Sequence, residues 1–194
     1  MKGMIRKIVQ VQGLDVHDQT SQHPEYWLSG ATAESPAPAD AMGGPPGAIR
    51  HDFELLLALL NGQKVEYLVV GGCALVFHGV PRATDDLDLF VRRTRENARR
   101  IVAALEDDGF ASLTLSEADF MLPGNVVRLG APPVCSDLIT SLTALSWNQA
   151  DAGKVAGRYG RTRAFFLGRD DLVLNKKALY RAGDAADIEA LEAL

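Results

Sequence analysis

Tyr67-Leu-Val-Val-Gly-Gly-Cys-Ala-Leu-Val-Phe-His-Gly-Val-Pro-Arg-Ala-Thr-Asp-Asp-Leu-Asp-Leu-Phe-Val91 is the stretch from which the fold is read. Tyr67 to Val70 is a β-branched and aromatic run, the mark of a short buried strand. Gly71 and Gly72 stop it. Cys73 to Phe77 reads as a short helix closed by Gly79 and Pro81. A second strand then spans Thr84 to Val91. Side chains alternate between the faces of a strand, so Leu87, Leu89 and Val91 share one face and Asp86 and Asp88 the other. Two carboxylates at that spacing stand roughly 6–7 Å apart at their Cβ atoms. Their charges disfavour joint ionisation unless a cation lies between them. A hard divalent ion bound by oxygen meets that need, and Mg²⁺ commonly brings substrate phosphates as further ligands. The free N–H groups where the Gly-Gly turn opens a helix suit a phosphate. A phosphate cradle ahead of a metal-binding carboxylate pair is equipment for phosphoryl or nucleotidyl transfer. A dinucleotide site is the rival reading, but it requires Gly-x-Gly-x-x-Gly, and Cys73 and Val76 stand where the second and third glycines belong.

The fuller string Val-Gly-Gly-x-Ala-x-x-x-His-Gly-x-x-Arg-x-Thr-x-Asp-Leu-Asp resembles the DNA polymerase beta-type nucleotidyltransferase superfamily. It also resembles the small bacterial AbiEii-like and minimal nucleotidyltransferases, several of which are toxin–antitoxin components. The resemblance runs from about Asp52 to Leu191. It implies a third acidic residue on a neighbouring strand. Asp137, in Pro-Pro-Val-Cys-Ser-Asp-Leu-Ile-Thr-Ser, fits that position. Read without the resemblance, Asp137 is either wet near a strand end or joined to Asp86 and Asp88 on a metal, because a lone buried carboxylate is costly. The resemblance also implies a lysine on the nucleotide phosphates from Asn175-Lys176-Lys177, and Lys176 is the choice; a solvated lysine pair is the alternative. The ending Arg181-Ala-Gly-Asp-Ala-Ala-Asp187 resembles an Arg-x-Lys-Asp-x-x-Asp ending. The chain departs from the pattern at Cys135 and Ser136, where Arg and Ile are expected, and at Gly183, where Lys is expected. The first and last of these departures each remove a positive charge.

Composition sets outer limits. The chain has 194 residues, 47% of them hydrophobic and 23% charged, with a net charge of −5. That is enough apolar matter for a core and no general basic signature for nucleic acid. Arg92, Arg93, Arg95, Arg99 and Arg100 cluster just after the carboxylate strand, either as a solvated helix face or as a docking surface for phosphate or RNA. Two cysteines, Cys73 and Cys135, make neither a disulfide framework nor a zinc site. No run of apolar residues reaches membrane-spanning length, and the N-terminus makes a poor signal peptide, so a cytoplasmic protein without membrane association is expected.

Along the chain, residues 1–48 read as a disordered or weakly ordered extension. Met4 to Val11 is a weakly alternating strand candidate within it, Glu25 to Leu28 an apolar cluster, and Gly30 to Ala48 a Pro/Gly/Ala-rich linker. Residues 49–194 form the folded domain. His51 to Leu60 is helical, and Thr94 caps a helix with Asn97 at its third position. Strands are expected at Phe110–Leu115, Asn125–Leu129 and Val134–Ile139. Gly153–Gly160 is a poor strand region, Arg163–Leu167 a better one. Arg169–Tyr180 is helical, with Asp170 and Asp171 in the first turn.

The expected fold is α+β: a mixed sheet of about five strands with helices on one side and a C-terminal helical pair. The expected activity is transfer of a nucleotide from an NTP to an RNA (tRNA included), protein or small-molecule acceptor, possible partners being a cognate toxin or antitoxin. Asp86, Asp88 and Asp137 would hold Mg²⁺ or Mn²⁺, with Asp137 able to take the proton of the attacking hydroxyl. Gly71, Gly72, Arg82, Thr84 and Lys176 would serve the nucleotide, although Arg82 could equally pair with an acidic neighbour. His78 is read as a helix-end hydrogen-bonder. The other reading is a degenerate transferase fold that binds a partner without chemistry, which Cys135, Ser136 and Gly183 favour.

Overall fold

The computed structural model describes residues 7–11, 47–107, 115–131 and 134–194. Along them run β1 (Lys7–Val11), α1 (Gly47–Gly62), β2 (Tyr67–Val70), α2 (Gly71–Phe77), β3 (Asp86–Val91), α3 (Arg95–Asp107) and α4 (Glu117–Met121). These are followed by β4 (Asn125–Ala131), β5 (Val134–Ile139), α5 (Trp147–Ala152), β6 (Val155–Tyr159), β7 (Thr162–Phe166), α6 (Arg169–Leu179) and α7 (Asp184–Glu192). The fold is α+β with one mixed sheet in the order β1-β4-β5-β3-β2-β7-β6. The five-strand expectation is too small: six strands come from residues 67–166, and Lys7–Val11, the strand candidate of the extension, adds a seventh by pairing in parallel with β4. The expected strand at 110–115 falls, apart from Leu115, outside the described residues. So do the cluster at 25–28 and the Pro/Gly/Ala stretch up to residue 46.

Period-two patterning places the carboxylate strand at the centre of the sheet. Leu87, Leu89 and Val91 are fully buried on one face of β3, together with Leu138 of β5 and Val127 of β4. Around this core lie Phe53, Leu57 and Leu60 of α1 and Ala98, Ile101 and Leu105 of α3, each helix contributing the apolar stripe its sequence carries. The poor strand region closes into a hairpin, β6–β7, with Tyr159 opposite Thr162 and Gly160 at φ +55° in the turn. That backbone angle suits glycine. α6 and α7 pack on each other as the C-terminal pair.

Asn97 ties these elements together. Thr94 caps α3 by accepting from the Asn97 N–H at 3.2 Å, as expected. The fully buried Asn97 side chain then accepts from the Glu66 N–H at 2.7 Å and donates to the carbonyls of Glu66 at 3.0 Å and Arg92 at 2.9 Å. It thereby clamps the entry of β2 to the exit of β3. Replacing Asn97 by Ala takes the partner of the Glu66 N–H and one of two donors from each of the Glu66 and Arg92 carbonyls, which still receive the Arg92 and Thr94 N–H groups. The expected loss is about 1–3 kcal/mol. A fall in the urea midpoint at unchanged slope checks it.

Candidate active site

The register of four strands sets one row across the sheet. Arg128 of β4 lies opposite Asp137 of β5, Asp137 beside Asp88 of β3, and Asp88 beside Val70, the last residue of β2. Paired residues on neighbouring strands share a face and stand about 4.8 Å apart. The three expected acidic residues are thus brought to one face: Asp86 lies two positions before Asp88, and Asp137 next to it. Arg128 grips Asp137 with two parallel bonds, Nε to Oδ1 at 2.8 Å and Nη2 to Oδ2 at 2.7 Å. A planar guanidinium matches a carboxylate in this way.

The charge distribution is asymmetric. Burial, then the neighbouring Asp137 and Asp86 carboxylates, push the Asp88 carboxyl up to about 6, against the pull of Arg181 and Arg128. Burial and Asp137 also raise Asp86, which is otherwise exposed. Two carboxylates held above their ordinary range, with a third beside them, form a site short of positive charge. Cys73 directs its thiol at the Asp86 carbonyl, 3.6 Å away, and burial followed by Asp88 and Asp86 raises it to about 12. Cys135 is raised too, by burial and Asp86. Both thiols therefore stay protonated and unreactive.

The glycines fit tightly against this row. Gly71 opens α2 at φ +60°, and a Cβ there would run into the Asp88 carboxylate. A Cβ on Gly72 would stand 2.7 Å from the Thr84 hydroxyl and 2.8 Å from its Cβ. Thr84 in turn donates to the Asp86 carbonyl at 3.1 Å. The backbone therefore passes closer to the carboxylates than any side-chain-bearing residue would allow.

Arg82 and Lys176 have partners other than the expected phosphates. Lys176 is buried, and its Nζ donates to Asp184 at 3.0 Å and Asp187 at 2.7 Å. Arg82 takes the other oxygen of Asp187 at 2.5 Å. Lys176 is thus neither on a free surface nor one of a solvated pair; its neighbour Lys177 pairs with Glu192 on the outside. The two carboxylates of the Asp184…Asp187 ending compensate the charge of this buried ammonium. His78 is the expected helix-end hydrogen-bonder, its Nε2 2.8 Å from the Leu167 carbonyl. Of the arginine cluster, Arg92, Arg95, Arg99 and Arg100 all pair with Glu66, Glu96 or Glu117, which is the solvated-face arrangement.

Two cations to which the sequence reading gave no role at the carboxylates act on Asp88: Arg128, and Arg181, already named in the C-terminal ending, at the junction of α6 and α7. Arg128 carried a usable signal, a charged residue alternating with buried Val127 and Leu129. Its partner became visible only with the strand register. It also returns, from the adjacent strand, the positive charge that Cys135 leaves missing.

The donor chemistry, carboxylate oxygens alone, fits a hard divalent ion. Among the described residues no three His, Cys, Asp or Glu side chains are gathered closely enough to form a finished metal cage. Asp137 is instead bonded through both its oxygens to Arg128 of β4. Each Asp137 oxygen keeps a second lone pair while bonded to Arg128, so the carboxylate remains able to serve as a third donor. Comparison with protein-family models and with curated proteins gives no match.

The raised Asp88 has a consequence for stability. Because its folded pKa lies above the ordinary 3.8, ionisation of Asp88 opposes folding: the penalty is absent below that value and complete once the pH exceeds about 6. In chelator, Asp88→Asn is expected to be more stable than the parent at mildly alkaline pH, by roughly 2–3 kcal/mol at most for a shift of this size. The difference should close as the pH falls toward 4. Unfolding curves of the two proteins across that range measure it.

Proposed function

We propose that the chain is a divalent-metal-dependent nucleotidyltransferase of the polymerase beta type. The observation that carries the reading is the row Arg128–Asp137–Asp88 ending against Gly71. It sets an electron-rich carboxylate face directly beside a glycine backbone with no room for a side chain. The resemblance of the Gly71-Gly72 … Asp86-Leu87-Asp88 string adds support from a separate direction. Asp86 and Asp88 would hold Mg²⁺ or Mn²⁺, with Asp137 as third donor. Bound there, the ion would neutralise the triphosphate and the charge that develops during transfer.

The chain's own residues would then act as follows. Gly71 and Gly72 let the backbone approach the phosphates, and Thr84 fixes the loop that carries Asp86. Arg128 holds the Asp137 carboxylate in place. The acceptor oxygen bonds to the α-phosphorus, the bond from that phosphorus to the α–β bridging oxygen breaks, and pyrophosphate leaves with the electron pair. The hydroxyl proton passes to a free lone pair of Asp137. Arg181, whose charge reaches Asp88, is better placed than Lys176 to face a phosphate. The acceptor would be a hydroxyl of an RNA, a protein or a small molecule.

A second reading is favoured by the commitment of Lys176 and Arg82 to Asp184 and Asp187, which leaves fewer cations for a triphosphate. On that reading the fold binds a partner without chemistry. Calorimetric titration of ATP, GTP, CTP and UTP decides between them. A transferase should lose at least tenfold in affinity, about 1.4 kcal/mol, when Mg²⁺ is chelated, because Asp86 and Asp88 then repel the phosphates at short range. The Asp86→Asn, Asp88→Asn double variant should bind without regard to metal. No binding of any of the four, or binding indifferent to Mg²⁺ in the parent, supports the second reading.

A further inference from the structure

A cavity of about 220 Å³ opens where β3 and β5 end, lined among others by Phe90, Arg92, Arg93, Ser141, Trp147 and Asn148. It lies at the other end of β3 from the carboxylates. Arg93 is five residues beyond Asp88, roughly 16 Å along an extended chain. The lining includes two arginines and no carboxylate, in a chain whose net charge is −5. Arg92 is neutralised by Glu66, so the uncompensated charge of the lining is that of the exposed Arg93.

The hydrogen-bonding state of the lining narrows the chemistry. Arg92 is engaged by Glu66 at 2.7 Å, the Thr140 and Ser146 hydroxyls donate to the Leu122 carbonyl and the Gln149 amide oxygen, and Thr94 accepts from the Asn97 N–H. Ser141 accepts from the Gly124 N–H at 2.8 Å, which leaves its own hydroxyl proton to donate. Arg93 makes no ion pair and no hydrogen bond among the described residues, and neither do the Trp147 indole N–H and the Asn148 amide. The unused groups are thus mostly donors: a guanidinium that can only donate, an indole N–H that can only donate, a hydroxyl proton and an amide. Donors from several side chains suit an oxyanion with more than two acceptor oxygens, and the guanidinium fork matches phosphate. The cavity has room beyond the anion itself. The Trp147 ring, half-buried with its centroid 5.2 Å from that of Phe90, forms an apolar wall for what the phosphate is attached to.

We propose that this cavity is a binding site for a phosphate monoester, held by Arg93, Ser141 and Asn148 with its carbon-bearing part against Trp147. The site is separate from the carboxylate row and stands whether or not that row transfers nucleotides. The chain contains two tryptophans, so Trp27→Phe leaves Trp147 as the sole indole reporter in the otherwise complete protein.

The experiment titrates that protein with inorganic phosphate and, separately, with nucleoside monophosphates in chelator, following indole fluorescence at ionic strength held constant with sodium chloride. A saturable change is expected. Tighter binding of a monophosphate than of inorganic phosphate is expected, whereas equal affinity overturns the contact of the carbon-bearing part with Trp147. Arg93→Gln should weaken binding at least tenfold, Arg93→Lys less, and Asn148→Asp, which adds a carboxylate to the lining, at least as much as Arg93→Gln. Asp88→Asn should leave it unchanged, which separates this site from the proposed active site. Absence of a saturable change with either probe, or equal binding by the parent and both the Gln and Asp variants, overturns the proposal.

Discussion

The strand register across β4, β5, β3 and β2 is the constraint on which the rest depends. Every side chain of a strand changes face if the pairing slips by one residue. In the observed register Leu89 and Leu138 are paired and fully buried, while Asp88 and Asp137 are paired on the opposite face. A slip of one position would send the carboxylates into the core and the leucines into the site. The apolar face therefore fixes the geometry of the polar one. The core leucines align the carboxylates without touching them.

Positive charge in this protein is apportioned with little slack. Arg128 is consumed by Asp137, Lys176 by Asp184 and Asp187, and Arg82 by Asp187. The two Lys176 bonds join α6 to α7, and the Arg82 bond joins the loop before β3 to α7. A buried ion pair is a poor source of net stability, because desolvation offsets most of its Coulomb attraction. What the cluster does supply is a defined placement of α6 and α7, whose junction carries Arg181 toward Asp88. Asp88 itself stays under-compensated, so the polar face keeps an unmet demand for a cation while the surrounding charges are matched.

Much of this was legible in the sequence where the signal is local. The two strands and the Gly-Gly turn of the 67–91 stretch, the Thr94 cap and the first-turn acids of α6 follow from period, capping and turn chemistry. The α4 helix was missed although Ser116 and Asp119 form a capping pair, with the Ser116 N–H and hydroxyl both donating to the Asp119 carboxylate at 3.0 Å. β6 was undervalued because, at an edge of the sheet, only Tyr159 of its residues is buried, so its pattern is that of an exposed loop. What no local pattern could give is partnership at long range. Arg128 and Asp137 meet through a register, Arg82 and Asp187 across 105 positions of sequence. Helix position told that Lys176 is on α6, but not that two carboxylates from α7 would bury it.

The sheet alternates parallel and antiparallel neighbours throughout, and its first strand in sequence is paired with a late one, Lys7 with Asn125. Parallel partners cannot be joined by a tight turn. During synthesis, β1 leaves the ribosome well before β4 exists, and at ordinary elongation rates the wait is on the order of ten seconds. Throughout that interval β1 has no native strand to pair with. Its docking requires β4 and closes a loop of more than a hundred residues, a long-range contact of the kind that forms slowly. At that edge, a strand made early has to wait for a partner made more than a hundred residues later.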